Sequence, residues 1–293
     1  MLLVLMGLLS ALASVYGQMP EMPQPTAAPG GSQVDRYLAA GTQFYIQQLY
    51  DQAVAAYGRA LALEPRLVEA YLGRASARIA LGQPDLALTD LNRVIQISPA
   101  GPDAYNAYLV RADIKLRKKN LLGAISDAAR AIRVKPNDPG GYHTRAAMYE
   151  AKGDLPRAVA DYDKAIELLP RAANFYVNRA RVKKAKGDLD GGLTDLNEAI
   201  KLARRQPENY VLRGDILREK GDLEAATADY NKALELDVGR ATALAGRGLV
   251  FLMQGREEEA RLDFENAVKI KPELKESIQH ATDKLRKKEP GGR

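Results

Sequence analysis

The chain has 293 residues, of which 46% are hydrophobic and 27% charged, with a formal net charge of +6. This hydrophobic content is normal for a folded soluble protein and excludes a largely disordered chain. The charge is modest, and acidic residues are interspersed with basic ones until the last ten residues, which argues against a dedicated nucleic-acid binder. The absence of cysteine excludes disulfides, thiolate catalysis and cysteine-ligated metal sites.

Residues 1–17 form an apolar run that ends in small residues. This pattern predicts an export signal, with cleavage after Ala13 or after Gly17. An uncleaved membrane anchor stays open as an alternative, although the run is shorter than the ~20 residues that a membrane-spanning helix needs. Residues 18–33 are rich in Pro, Gly and small polar residues and predict a flexible linker. We therefore expect a periplasmic or secreted protein, which residues 1–17 would anchor if they are retained.

An internal repeat follows the linker. The sequence AKGDL at 151–155 recurs at 185–189, and EKGDL follows at 219–223, so the three copies start at equal intervals. Other residue types recur at the same interval, among them Tyr142, Tyr176 and Tyr210. A fixed period of this length indicates stacked structural units. The register predicts seven units, interrupted only by three extra residues near 101–102, with the ranges 34–67, 68–104, 105–138, 139–172, 173–206, 207–240 and 241–274.

Each unit has the pattern of two helices. In the fifth unit, apolar residues recur at helical spacing on both sides of Gly187, which can adopt the positive φ of a helix end, and Asp188 can cap the next helix. Several units close with a proline, which cannot continue a helix. Small residues recur where two helices must approach closely, at Ala53, Ala87, Ala124, Ala158, Ala226 and Ala260. One helix pair cannot bury its own apolar stripe, so we expect neighbours to stack and share a continuous core.

The repeat resembles the tetratricopeptide repeat. The family pattern of an aromatic residue, a small residue, then Ala, an aromatic residue and a closing Pro matches the first unit at Tyr37, Gly41, Phe44, Ala53, Tyr57, Ala60 and Pro65. The seventh unit matches at Leu244, Gly248, Phe251, Ala260, Phe264 and Pro272. The resemblance covers residues 34–274 and implies an all-α fold, an α-solenoid of about seven helix-turn-helix repeats in a right-handed superhelix.

Two charged columns depart from the family pattern. Arg replaces the family's Leu in six units, and Asp recurs in the second helix of six, at Arg74, Arg111, Arg145, Arg179, Arg213, Arg247 and Asp90, Asp127, Asp161, Asp195, Asp229, Asp263. Because the two columns match almost one for one, we predict ion pairs between packed helices and not a polyanion-binding ladder. We likewise predict that the column of Tyr37, Tyr71, Tyr108, Tyr142, Tyr176 and Tyr210 is core and not a platform for stacking bases.

Residues 275–293 continue the chain beyond the seventh unit. Leu274, Ile278, Ala281 and Leu285 form an apolar stripe that predicts a capping helix over the last repeat. The basic residues after it predict a solvated tail.

The residues of enzyme and metal sites are nearly absent from the sequence. His143 and His280 are the two histidines, and neither an HExxH helix nor a GxxxxGK[ST] phosphate loop occurs. The acidic run at Glu257, Glu258 and Glu259 is typical of a solvated helix face. We predict no catalytic activity, no cofactor and no metal.

The resemblance implies a concave surface, lined by the first helix of each unit, that binds an extended peptide or a helix of a partner. Applied to this sequence, it predicts a groove that is apolar at its ends and basic in its middle. The candidate binding residues are Leu38, Tyr45, Leu72, Ile79, Arg117, His143, Arg181, Lys184 and Arg218. Leu38 and Thr42 stand where the co-chaperone members of the family carry part of their carboxylate clamp, so we do not expect that clamp.

The function that these expectations support is a non-enzymatic adaptor for other proteins in a bacterial cell envelope. A membrane-anchored scaffold and a binder of an anionic glycan or cell-wall polymer stay open as alternatives. We expect no nucleic-acid partner, and membrane contact only through an uncleaved N-terminal segment. The sequence leaves the identity of the partner and the oligomeric state open.

Overall fold

The computed structural model describes residues 31–286, so the predicted export signal, most of the linker and the part of the basic tail after Arg286 lie outside the described residues. Every regular element between residues 31 and 286 is helical, which confirms the all-α prediction. One 3₁₀ turn, Pro272–Leu274, precedes the last helix. The helices are α1 Gln33–Ile46, α2 Tyr50–Leu63, α3 Val68–Ala80, α4 Pro84–Ile97, α5 Pro102–Arg117, α6 Leu121–Val134, α7 Pro139–Lys152, α8 Leu155–Leu168, α9 Ala173–Ala185, α10 Leu189–Leu202, α11 Pro207–Lys220, α12 Leu223–Leu236, α13 Ala241–Met253, α14 Glu257–Ile270 and α15 Lys275–Arg286.

The chain divides after Leu168 into two compact units, called unit 1 and unit 2 below. Unit 1 contains the four helix pairs α1 to α8, and unit 2 contains the three pairs α9 to α14 together with α15. Within each unit, a first helix packs against its own second helix and against the second helix of the preceding pair. The seven pairs correspond to the seven predicted repeats, and α15 is the predicted capping helix. The three extra residues lie at the start of α5, where Pro102 occupies the first turn.

The turns between paired helices follow the local chemistry of the sequence. Gly187 has φ +82°, and the Asp188 side chain accepts a hydrogen bond of 3.0 Å from the backbone N–H of Gly191, so both predictions for this turn are confirmed. Gln48 and Lys119 adopt the same left-handed conformation in two other turns, with φ of 60° and 61°. Residues other than glycine rarely adopt this backbone conformation, so the packing of the helices imposes it at the two turns that lack glycine.

The predicted ion pairs are present in all six repeats that carry both residues. Each Arg donates from Nε and Nη2 to both oxygens of the Asp 16 residues later, at 2.6–3.1 Å. Each of these Asp residues is at most 6% exposed. The hydrogen bonds that Arg145, Arg213 and Arg247 donate to the paired carboxylates raise the pKa of each guanidinium above its ordinary value, so these groups stay charged at any physiological pH.

Several arginines of this column also contact the preceding repeat. Arg111 donates from Nη1 to Asn92 at 2.6 Å. The same contact joins Arg213 to Asn197 and Arg247 to Asn231, at 2.8 and 2.7 Å. Each of these guanidinium groups therefore joins the second helix of its own repeat to the second helix of the preceding repeat. This is a link between repeats that the ion-pair prediction did not include.

The tyrosine column is only partly in the core, which corrects the prediction. Tyr108 and Tyr210 are buried, whereas the other four members of the column are half-buried. Arg74 lies over the ring of Tyr71, 5.6 Å from its centroid, and Arg213 lies over the ring of Tyr210, 5.8 Å from its centroid. The Tyr71 hydroxyl donates to the Pro65 carbonyl at 3.2 Å, and the Tyr210 hydroxyl donates to the loop before α11. These tyrosines hold the loop that closes the preceding repeat.

Two other tyrosines, on second helices, are buried between glycines of adjacent first helices. Tyr57 on α2 is 4% exposed, and a Cβ added to Gly41 or Gly73 would lie 2.7 Å from its Cε1 atom. In unit 2, Tyr230 on α12 lies between Gly214 and Gly246 in the same way. A first helix can pack this closely against a tyrosine only where it carries no side chain. The column of small residues that begins at Ala53 is buried, as predicted, at 0–1% exposure.

Candidate functional site

The first helices lie on the inner side of each unit. In unit 1, α1 approaches α3 and α5 approaches α7, and in unit 2, α11 approaches both α9 and α13. No two second helices within either unit come as close. Each unit therefore curves toward its first helices. The faces of the first helices that point away from the second helices form what we call the first-helix surface.

In unit 1, the first-helix surface begins with exposed apolar side chains. Tyr45, Ile46 and Ile79 are 36%, 67% and 40% exposed. The ring of Tyr45 contacts that of Tyr50 at a centroid distance of 5.5 Å. Arg117 is also exposed and donates from Nε to Asp113 at 2.8 Å. This part of the surface has the apolar character that the sequence predicted.

Other predicted binding residues present less surface. Leu38 and Leu72 are half-buried and pack against the hydrophobic clusters of the first two pairs. His143 is 5% exposed, and its ring lies 5.7 Å from that of Tyr162. His143 is thus buried on α7, and Leu38 on α1 and Leu72 on α3 are less exposed than Tyr45 and Ile79. A binding role for any of them stays a prediction.

In unit 2, charged residues of α9 and α11 come together. Lys184 lies 2.9 Å from the carboxylate of Glu219 and so joins the fifth repeat to the sixth. Arg181 donates to Asn178 at 2.5 Å within α9. The Arg218 guanidinium lies 3.8 Å from Asp215, and its buried Nε has no hydrogen-bond acceptor among residues 31–286. The protein itself therefore does not fully satisfy this guanidinium.

The Asp215 carboxylate, beside Arg218, accepts a hydrogen bond from a buried tyrosine. The hydroxyl of the buried Tyr230 donates to Asp215 at 2.7 Å, so a second-helix residue reaches the first-helix surface. Burial raises the pKa of the Asp215 carboxyl above its ordinary value, and the bond from Tyr230 and the charge of Arg218 oppose that rise. In unit 1, burial likewise raises the pKa of Asp113, against the effect of Arg117.

Sequence analysis missed two residues of this cluster. Glu219 follows Arg218 directly, but only the packing of α9 against α11 brings it to Lys184. Tyr230 belongs to the second-helix column that begins at Tyr57, and no spacing rule indicates that its hydroxyl reaches Asp215.

Two kinds of feature are absent from the described part of the chain. No group of three or more His, Asp or Glu side chains between residues 31 and 286 is placed to hold a metal ion. No helix within that range is long and apolar enough to cross a membrane.

Family comparisons agree with the repeat geometry. A family model described as tetratricopeptide repeat matches residues 38–102, and a second model, described as TPR repeat, matches residues 214–255. The matched ranges lie in both units, and the helix pairs continue through and between them. The chain therefore carries tetratricopeptide repeats in both units. Proteins of this family are generally scaffolds for protein interactions.

Solved tetratricopeptide repeat proteins share the fold. A tetratricopeptide repeat protein from Parabacteroides merdae superimposes with a TM-score of 0.67 over 87% of this chain and 99% of its own, at 19% identity. YrrB, described as a TPR protein with an unusual peptide-binding site, gives a TM-score of 0.51 over 66% of this chain and 97% of its own, also at 19% identity. At these identities the likeness is one of fold alone.

One curated relative matches a short part of the chain. Bacteriophage adsorption protein A of Escherichia coli (strain K12) is 40% identical over 73 residues, which is 25% of this chain and 7% of the relative. The chain thus spans a small fraction of that protein's length.

Proposed function

We propose that this protein is a non-enzymatic scaffold whose first-helix surface binds segments of partner proteins. The observation that carries the proposal is the cation cluster, the group of Arg181, Lys184 and Arg218 that the first helices α9 and α11 present together with Glu219. Tetratricopeptide repeat proteins typically act as scaffolds and not as enzymes, which supports the absence of intrinsic catalysis. The peptide-binding site named for YrrB supports the same use of the fold.

The chemistry of the surface defines the kind of segment that it would bind. In unit 1, Tyr45, Ile46 and Ile79 offer apolar contacts for aliphatic or aromatic anchors. In unit 2, a carboxylate of the partner would pair with Arg218 and compete with Glu219 for Lys184. We therefore propose partners with hydrophobic anchors and acidic residues.

We place this activity in the bacterial cell envelope, on the basis of the apolar residues 1–17. Intact-mass measurement of the native protein separates a cleaved export signal from a retained anchor. An anionic glycan or cell-wall polymer remains the rival ligand, because it would use the same cations. Its binding would collapse at moderate salt and need no protein partner.

The test reverses the charge of the cluster. In crosslinked affinity capture from the native envelope, the wild-type chain is expected to retain a discrete set of proteins. The Arg181→Glu/Lys184→Glu/Arg218→Glu variant is expected to lose them, because each substitution places a like charge against an acidic segment.

A control variant has the same change of net charge, but its substitutions lie on the second helices α10 and α12 and in the loop after α10. Lys201, Arg204 and Lys232 are cations outside the first-helix surface, and their replacement by glutamate should leave capture unchanged. Capture of the same material by all three baits, or of polymer and lipid alone, would refute the proposal.

A further inference from the structure

The last helix pair of unit 2 is covered less completely than the pairs before it. Leu196 and Tyr230 occupy one column of the second helices and are both 0% exposed. Phe264, the next member of that column, is only half-buried. Because α15 follows α14 where a first helix would stand, it should bury Phe264 as α11 and α13 bury their neighbours. The incomplete burial means that α15 leaves space beside α14.

A groove lies between α14 and α15. The second of these helices continues the repeat register as an eighth first helix would, with Ile278 one repeat period after Leu244 and Thr282 one period after Gly248. It approaches α13 more closely than α14, and a cavity of about 690 Å³ separates the walls of the groove. In the complete pairs of unit 2, a second helix packs along each first helix. No described residue occupies that position beside α15.

The lining of the groove has the pattern of a helix-binding site. Its floor is apolar, formed by Leu252, Phe264, Val268 and Ile278. Its walls come from two helices whose lining residues recur every three or four positions, from Glu257 to Lys269 on α14 and from Lys275 to Arg286 on α15. Stripes of this length run for about 18 Å at 1.5 Å per residue, which matches three turns of a third helix.

Charge gives the groove a direction. Lys269 and Lys275, both exposed, line it where α14 ends and α15 begins. Glu257 and Glu258 line it at the start of α14, where Arg261 pairs with Glu258 at 2.8 Å. The first end is therefore basic, whereas the second is acidic, because Arg261 pairs there with both Glu258 and Glu265 and Glu257 lies beside them. A complementary helix would carry its acidic residue toward Lys269 and Lys275.

We propose that this groove binds an amphipathic helix of a partner protein, which takes the place of the second helix of an eighth pair. An apolar stripe of that helix would cover Phe264, Val268 and Ile278, and an acidic side chain would face Lys269 and Lys275. Only Leu252 borders the first-helix surface as well. The cation cluster of that surface lies on α9 and α11, so binding at the cluster and binding in the groove can fail separately.

The test uses the full chain and a probe of the proposed chemistry. The probe is a fluorescent peptide with the sequence of residues 222–237, which covers α12, a second helix with an apolar stripe and five acidic residues against one lysine. Fluorescence anisotropy should give saturable binding to the wild-type chain. The Lys269→Glu/Lys275→Glu variant is expected to bind about tenfold more weakly. The same probe with a scrambled sequence, which has no stripe, should not bind.

The controls separate binding in this groove from binding elsewhere on the chain. Lys186→Glu/Lys201→Glu changes two exposed lysines outside the groove and should leave the affinity unchanged. Absence of saturable binding, or equal weakening by both variants, would overturn the proposal. Binding that appears only when the chain is shortened after Arg286 would identify its own tail as the occupant and contradict a partner helix. Self-association that is lost in Lys269→Glu/Lys275→Glu would identify a second copy and contradict it equally.

Discussion

Replacement of Asp127 by alanine is expected to lower the free energy of unfolding by about 3–5 kcal/mol. Asp127 is 0% exposed and accepts hydrogen bonds from Arg111 at 2.7 and 2.6 Å and from Lys115 at 2.7 Å. Without the carboxylate, the buried guanidinium of Arg111 keeps its desolvation cost and loses its counter-charge. Urea denaturation followed by circular dichroism measures the loss.

Two further variants test this reasoning. Asp85 pairs with Lys118 at the surface, and Asp85→Ala should change stability by no more than about 0.5 kcal/mol. Arg111→Leu/Asp127→Leu removes the most buried charges and leaves Lys115, whose side chain is 25% exposed and can turn to solvent. The double variant should therefore recover much of the loss, because a buried ion pair adds little over a well-packed apolar pair. A loss below about 1 kcal/mol for Asp127→Ala would mean that the charged columns do not hold the repeats together.

The second large effect is expected at Gly73. Gly73→Ala should lower the free energy of unfolding by about 1–3 kcal/mol, because the added Cβ would overlap the ring of Tyr57. This result would be opposite to helix propensity, which favours alanine over glycine by about 1 kcal/mol. Thermal and urea denaturation of the variant give the sign directly.

The same chain supplies the control and the rescue. Gly58 lies in the interior of α2, and its added Cβ would meet only Arg74, at 3.8 Å, so Gly58→Ala should stabilise by up to about 1 kcal/mol. The second and third repeats combine Leu91 with Val110 where the first and second combine Tyr57 with Gly73. Tyr57→Leu/Gly73→Val should therefore be less destabilised than Gly73→Val alone. Additive effects of the two substitutions would argue against the proposed contact.

Most of the fold could be predicted because its determinants recur in the sequence. The repeat period, Gly187 with Asp188, and the Arg and Asp columns each encode a local or neighbouring contact, and all are confirmed. Other residues that recur in the sequence indicate contacts beyond those predicted. Asn92, Asn197 and Asn231 each follow an Asp of the charged column by two positions, and Gly73 accompanies Tyr57 as Gly246 accompanies Tyr230.

The candidate site was less predictable because it depends on differences between repeats. The family resemblance placed His143 on the first-helix surface, yet the ring of Tyr162 packs beside it and little of it is exposed. The contact of Lys184 with Glu219 requires the approach of α9 to α11, which the spacing of residues within one helix does not specify.

The same contrast explains how this fold can serve recognition. Residues that repeat within the chain are mostly those that pack, such as the Arg and Asp columns and the small residues that begin at Ala53. Residues on the first-helix surface vary instead. One position carries, in the seven repeats, Thr42, Ser76, Asp113, Ala147, Arg181, Asp215 and Leu249. Because each repeat contacts only its neighbours, this surface can vary without loss of the fold.

The most direct test of the central claim is site-specific photo-crosslinking in living cells. A photoreactive phenylalanine derivative replaces Ile79 or Lys184 on the first-helix surface, and Arg93 or Lys201 on second helices serve as controls. The account predicts discrete protein adducts from Ile79 and Lys184 and none from Arg93 or Lys201. Adducts from the second-helix positions alone would contradict it.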